Sequence, residues 1–184
     1  MKQLFQKSNV SKVLAYFLKA PRSEVYLREL ARTLGMSPST ALRSLSALEK
    51  EGLVARRTER HVSFFKANMG LRFKALKVAQ TVSLFEKKRI TKLVSENSQG
   101  FQSLLLYGSA ANGEDDAESD YDLMLIASGT KVRPHELSEM LDREVNLQRY
   151  SISEWKEVSR KNRAFYLEVI SNSIALKGEK PVID

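Results

Sequence analysis

The chain of 184 residues contains no cysteine and only two histidines, His61 and His135. Without thiols there is neither a disulfide nor a thiolate zinc site, which fits a reducing cytoplasm. Two scattered imidazoles also argue against a histidine metal cluster. Long apolar runs are missing, and nothing approaches the ~18 residues expected of a membrane-spanning helix. The opening segment, MKQLFQKSNVSKVLAYFLKA, intersperses lysines among apolar residues and lacks a small-residue cleavage pattern. A secretory signal is therefore not expected, and the expected location is the cytoplasm. Acidic residues are scarce in the first half. Residues 1–95 carry 20 Lys+Arg against 6 Asp+Glu, a surplus of +14, while residues 96–184 carry 10 against 16, a deficit of −6. This asymmetry points to two modules, the first facing a polyanion. Charge alone leaves nucleic acid and simple solvation equally open.

A hydrophobic content of 42% leaves room for two small cores. Val10, Val13, Leu14, Phe17 and Leu18 form a helical stripe over residues 9–19. Pro21-Arg22-Ser23 interrupts it. Val25, Leu27, Leu30, Ala31 and Leu34 continue a helical spacing that Gly35 closes. Ser37 then reads as an N-cap and Pro38 as a first helical residue. Ala41, Leu42, Leu45 and Leu48 form the stripe of a third helix ending at Gly52. The runs 53–58 and 62–67, separated by Glu59-Arg60-His61, read as a hairpin.

The order of these elements, in LRELARTLGMSPSTALRSLSALEKEGLVARRTERHVSFFKAN, resembles the winged helix-turn-helix domains of prokaryotic transcription regulators. The resemblance covers about residues 8–68 and implies a module over 1–68 whose partner is double-stranded DNA. It implies that the third helix enters the major groove, with Ser39, Thr40, Arg43 and Ser44 on the face opposite the leucines. Arg56, Arg57, Arg60 and Lys66 on the wing would meet phosphates. The competing reading is a winged helix used for protein contact. His61 reads as an exposed turn residue.

Residues 69–98 read as a linker with one long helix over 69–95. Leu71, Ala75, Val78, Val82 and Phe85 follow a 4-3-4-3 spacing. Such a stripe packs within the chain or pairs two copies into a homodimer. Lys87-Lys88-Arg89 adds a basic cluster.

Further on, FQSLLLYGSA is an apolar run ending in a turn, and DYDLMLIAS is an apolar run beginning at two acids. Asp120 and Asp122 are two apart, so on a strand they point to one face and suit a single Mg²⁺. Gly108 and Ser109 supply a tight turn and a hydroxyl for phosphate. The intervening Glu114-Asp115-Asp116 reads as a solvated acidic loop.

Leu-Tyr-Gly-Ser followed ten residues later by Asp-x-Asp is similar to the signature of minimal nucleotidyltransferase domains of the DNA polymerase beta superfamily. The resemblance covers roughly residues 99–184 and implies a small mixed sheet with helices on one side. With the winged module, this makes an α+β chain. It also implies NTP·Mg²⁺ as ligand, ATP being the expected nucleotide. Gly108 and Ser109 would lie on the phosphates, and Asp120 and Asp122 would be the metal-holding catalytic acids. A third carboxylate is expected on the next strand, over 144–150, but that position is Asn146. Asparagine offers a carbonyl oxygen and neither takes a proton nor adds charge. Glu144 lies about 6.6 Å away along such a strand.

Beyond this strand, Ser153 reads as the cap of a helix with Glu154 in its first turn, and Trp155 as core. Arg160-Lys161-Asn162-Arg163 reads as a solvated turn. Residues 165–170 read as helix and 174–176 as a short strand. VNLQRYSISEW followed by FYLEVI resembles a subgroup in which a minimal nucleotidyltransferase is fused behind a winged helix. Three functions remain open: a DNA-binding regulator with a nucleotide-binding domain, a working nucleotidyltransferase acting on protein, RNA or a small molecule, and an antitoxin-like protein with a protein partner.

Overall fold

A computed structural model describes residues 8–183. Residues 1–7 of the segment read as non-secretory lie outside it. The chain is α+β and divides into two compact units, Met1–Leu76 and Lys77–Asp184.

The first unit begins with α1 (Asn9–Lys19), whose N-cap Ser8 accepts a bond from the Ser11 amide at 3.1 Å. After it come β1 (Glu24–Tyr26), α2 (Leu27–Thr33), α3 (Pro38–Lys50) and the hairpin β2 (Val54–Glu59) and β3 (Val62–Ala67). Ser37 caps α3, accepting from the Thr40 amide at 3.2 Å, with proline in the first turn. The antiparallel sheet runs β1-β3-β2. Val25, expected in a helix, is instead the buried residue of β1 and pairs with Phe65. One buried valine satisfies either period; only its long-range partner decides. The core joins Val13, Phe17, Leu30, Leu45, Phe65 and Phe73.

Expected as one helix, the linker is two: α4 (Leu71–Lys87) and α5 (Ile90–Glu96), broken where Arg89 adopts φ 56°. The division between the units falls inside α4. Its buried line is Phe73, Lys77, Thr81 and Phe85, whereas Leu71 is 84% exposed and Ala75 is exposed. The buried positions recur every four residues, but two are polar, so the apolar stripe matches the inner face only in part: Phe85 is buried, Val78 and Val82 are half-buried, and Leu71 and Ala75 are exposed.

The second unit continues with β4 (Ser98–Gln99), β5 (Ser103–Tyr107), α6 (Gly108–Asn112), β6 (Tyr121–Ile126), β7 (Gly129–Thr130), α7 (Pro134–Leu141), β8 (Val145–Tyr150), α8 (Ile152–Lys161), α9 (Arg163–Asn172) and β9 (Ile174–Lys177). The main sheet is mixed, in the order β8-β6-β5-β9, with β6 and β8 parallel and the other pairs antiparallel. Helices cover both faces rather than one. Leu104, Leu106, Leu123 and Leu125 pack with Phe85, Ile90, Val94 and Leu137. The alternate residues Leu105, Tyr107, Met124 and Ile126 pack with Trp155, Tyr166 and Val169. The cap of α8 is Ser151, not Ser153, because Ser151 and Glu154 close a reciprocal capping box.

The wing turns through two left-handed residues, Arg60 (φ 45°) and His61 (φ 68°), between the paired Glu59 and Val62. A two-residue hairpin turn of this kind favours Asn-Gly, and each non-glycine residue there is strained by about 1 kcal/mol. Replacing Arg60-His61 by Asn-Gly should stabilise the first unit by roughly 1–2 kcal/mol in chemical denaturation. An unchanged midpoint would show that the turn carries no strain.

Candidate functional sites

In the first unit, the outward side of α3 presents Ser39, Leu42, Arg43 and Ser46, all exposed. Arg43 is therefore where the sequence places it. Ser39 and Thr40 lie at the cap, where the Ser37 hydroxyl stands 3.0 Å from the Ser39 hydroxyl and donates to Thr40 Oγ1 at 2.9 Å. Ser44 is a correction. It is 3% exposed and its hydroxyl donates to the Thr40 carbonyl at 3.0 Å, so it serves the helix interior rather than the outward face. Leu42, expected in the core stripe, is instead 39% exposed.

The wing arginines differ in what they have free. Arg57 reaches Glu24 at 2.9 Å and Glu59 at 2.5 Å, and lies 5.0 Å from the centre of the Phe64 ring. The Arg57 bond holds the Glu24 carboxyl below its ordinary range, and Glu24 raises Arg57 in return. Its fork is thus spent joining β1 to the wing. Arg56 donates to the Ser63 hydroxyl at 2.8 Å and overlies Phe65. Arg60, at the tip, is exposed and has no carboxylate partner among the described residues. Arg43 and Arg60 are the sequence-selected arginines with their donors unspent.

In the second unit, the acids converge as expected. Parallel pairing of β6 with β8 sets Asp122 opposite Asn146. The Asn146 side-chain amide donates to Asp120 Oδ2 at 3.3 Å and to Asp122 Oδ1 at 3.2 Å. An uncharged donor thus stands between two carboxylates. Gly108 opens α6 with φ +70°, and a Cβ there would come within 2.5 Å of Asp122 Oδ2. Only glycine lets the turn approach the acid this closely. Ser109 is half-buried one residue on. Tyr107 pairs with Asp122 across the sheet. Burial first, then the charge of Asp122, push its phenol up to about 12, so it stays protonated beside the acids.

Two carboxylates fit one oxygen-seeking divalent cation, and the Asn146 carbonyl would join them only once its side-chain amide turns over from the orientation seen here. Among the described residues, no group of three His, Cys, Asp or Glu side chains is arranged to hold a metal ion. Glu144 offers its carbonyl to the Tyr121 amide at 2.9 Å. It lies outside the strand, and its side chain is exposed.

The loop joining the turn to the acids departs from expectation. Asp115, read as solvated, is 3% exposed. Lys77 Nζ stands 3.2 Å from Asp115 Oδ1, at ion-pair distance but not aligned as a hydrogen bond. Arg143 Nη1 donates to Asp115 Oδ2 at 2.9 Å. Arg143 also donates to the carbonyls of Asp116 and Ser119 and lies 4.3 Å from the centre of the Tyr121 ring. Burial opposes the charge of Arg143, but Tyr121 and Asp115 outweigh it and hold the guanidinium above its ordinary value. Arg143 thereby clamps the segment that delivers Asp120. In the sequence Asp115 reads as a solvated residue, and neither Lys77 nor Arg143 is singled out. Lys77 shares α4 with Arg72, Lys74 and Lys87, so nothing local marks it out.

Asp115→Ala would leave two buried cations without their carboxylate. The second unit should lose about 3–5 kcal/mol in urea unfolding; a loss under 1 kcal/mol would mean the cluster is hydrated and structurally idle. Asn146→Asp adds a third charge at the acids. Mg²⁺ affinity measured by calorimetry should rise about tenfold, and an unchanged affinity would place the cation elsewhere.

Residues 8–58 match the model of the IclR helix-turn-helix domain. No curated protein matches the chain. A toxin–antitoxin crystal structure with AMP-PNP shares 23% identity over 52% of this chain and 74% of that one, with a TM-score of 0.39. The homodimeric winged helix-turn-helix DNA-binding domain of a possible ArsR-family regulator from Mycobacterium bovis shares 23% identity over 42% and 69%, with a TM-score of 0.37. A possible transcriptional regulator from Methanosarcina mazei Go1 shares 18% over 45% and 75%, with a TM-score of 0.33. With the geometry of its first unit, the match at residues 8–58 shows that the chain carries an N-terminal helix-turn-helix domain of the IclR type.

Proposed function

We propose that the protein is a DNA-binding transcriptional regulator whose second unit binds a nucleotide with Mg²⁺ and is impaired in transfer. The observation that carries the DNA reading is the match at residues 8–58 to a helix-turn-helix domain whose third helix leaves Arg43 exposed and unspent. An arginine on such a face forks onto the O6 and N7 of guanine. Arg60 at the wing tip meets phosphate, and Arg56 adds charge beside it. Arg57 acts differently, fixing the wing through Glu24 and Glu59.

For the second unit, the supporting observation is the convergence of Asp120, Asp122 and Asn146 beside Gly108. A divalent cation supplies positive charge against phosphate oxygens when bound. Asp120 and Asp122 would hold it, Asn146 would turn its side-chain amide to add the carbonyl as a neutral ligand, and Gly108 and Ser109 would receive phosphate. The shortage is one of charge and basicity: Asn146 accepts no proton from an attacking hydroxyl. This favours binding without turnover over a working transferase.

Electrophoretic mobility shifts on a duplex selected from a random pool test the DNA reading. Arg43→Ala should weaken binding by roughly 1–3 kcal/mol and relax preference at one base pair. Arg57→Ala should instead lower the thermal stability of the first unit. Equal affinity of Arg43→Ala and parent for the selected duplex would remove α3 from the major groove.

A further inference from the structure

The exposed side of α3 is not uniformly polar. Ser39, Leu42, Arg43 and Ser46 share it at the i, i+3, i+4 and i+7 spacing of one helical face. Leu42 is 39% exposed, whereas Leu45 and Leu48 of the same helix are 0% and 3% exposed. A solitary exposed leucine is ordinary on a protein surface. Here its place matters. It lies at the middle of the helix face that a helix-turn-helix domain turns toward DNA, beside an arginine whose donors are unspent.

The floor of the major groove is mostly hydrogen-bonding edges, and its apolar feature is the C5-methyl of thymine. A leucine forced against guanine, cytosine or adenine edges would cover groups that need water or a polar partner. Against thymine it buries methyl against methyl. We infer that Leu42 is a specificity-determining residue that selects a thymine in the DNA site by contact with its C5-methyl group. Arg43 reads by hydrogen bonds and Leu42 by apolar contact, so the site contains an A·T pair chosen through its methyl group alone. This rests on the DNA-binding reading and adds the kind of base pair recognised.

Replacing thymine by deoxyuridine removes that methyl and changes no hydrogen-bonding group. The full chain is used to select a duplex from a random pool, and each thymine of that duplex is then replaced singly by deoxyuridine. At one or more of these thymines the parent should lose about fourfold in affinity, the value of one buried methyl group. Leu42→Ser should bind thymine and deoxyuridine equally there, and Leu42→Met should restore the preference. Leu42 lies outside the core cluster of the first unit, so both variants should stay folded, with one cooperative thermal transition. The inference is overturned if no thymine responds, or if the response survives in Leu42→Ser. It is also overturned if Leu42→Ser changes self-association in sedimentation but not the deoxyuridine response, because the leucine then faces protein. Failure of the parent to select any duplex would bring down the DNA-binding reading itself, and this inference with it.

Discussion

The second unit is organised around one buried carboxylate. Asp115 sits between Lys77 of α4 and Arg143 at the head of β8, and all three side chains are largely out of water. Two cations on one carboxylate would be costly to bury without further acceptors. Arg143 finds them in the carbonyls of Asp116 and Ser119 and in the face of Tyr121. The same contacts fix the loop between the Gly108 turn and the Asp120–Asp122 pair. The ten-residue spacer is therefore a strut held from two sides, and the positions of the acids follow from it.

The geometry downstream is set by strand pairing. Parallel alignment of β6 with β8 puts Asn146 beside Asp122, and Asp120, the residue just before β6, reaches the same amide from the end of the clamped loop. Gly108 completes the approach because no side chain intervenes. The arrangement gathers two carboxylates and one neutral amide, one charge fewer than three carboxylates would bring. The first unit applies a related economy. Arg57 turns its donors to Glu24 and Glu59 to hold the wing, whereas Arg43 and Arg60 are exposed and without a carboxylate partner among the described residues.

Much of this was legible in the sequence for physical reasons. The glycine turn, the acids two apart and the apolar runs around them are local signals, and the four-stranded sheet uses them as expected. Ser37 and Pro38 announced α3 in the same way. What escaped depended on distant partners. Val25 is a strand residue only because Phe65 lies opposite it. Ser44 turns inward to a carbonyl one turn back, and Leu42 turns outward, although polarity alone suggested the reverse. The break at Arg89 has no glycine or proline to mark it. The Lys77–Asp115–Arg143 cluster joins residues from three segments, and each of them alone reads as a surface charge.

The central claim is that the second unit holds a nucleotide through a cation on Asp120 and Asp122. Calorimetric titration of the full chain with ATP, with and without Mg²⁺, tests it most directly when the parent is compared with an Asp120→Asn/Asp122→Asn double variant. The account predicts binding that requires Mg²⁺ and disappears in the double variant while the thermal midpoint holds. Absence of ATP binding by the parent, or binding indifferent to both Mg²⁺ and the two acids, would contradict it.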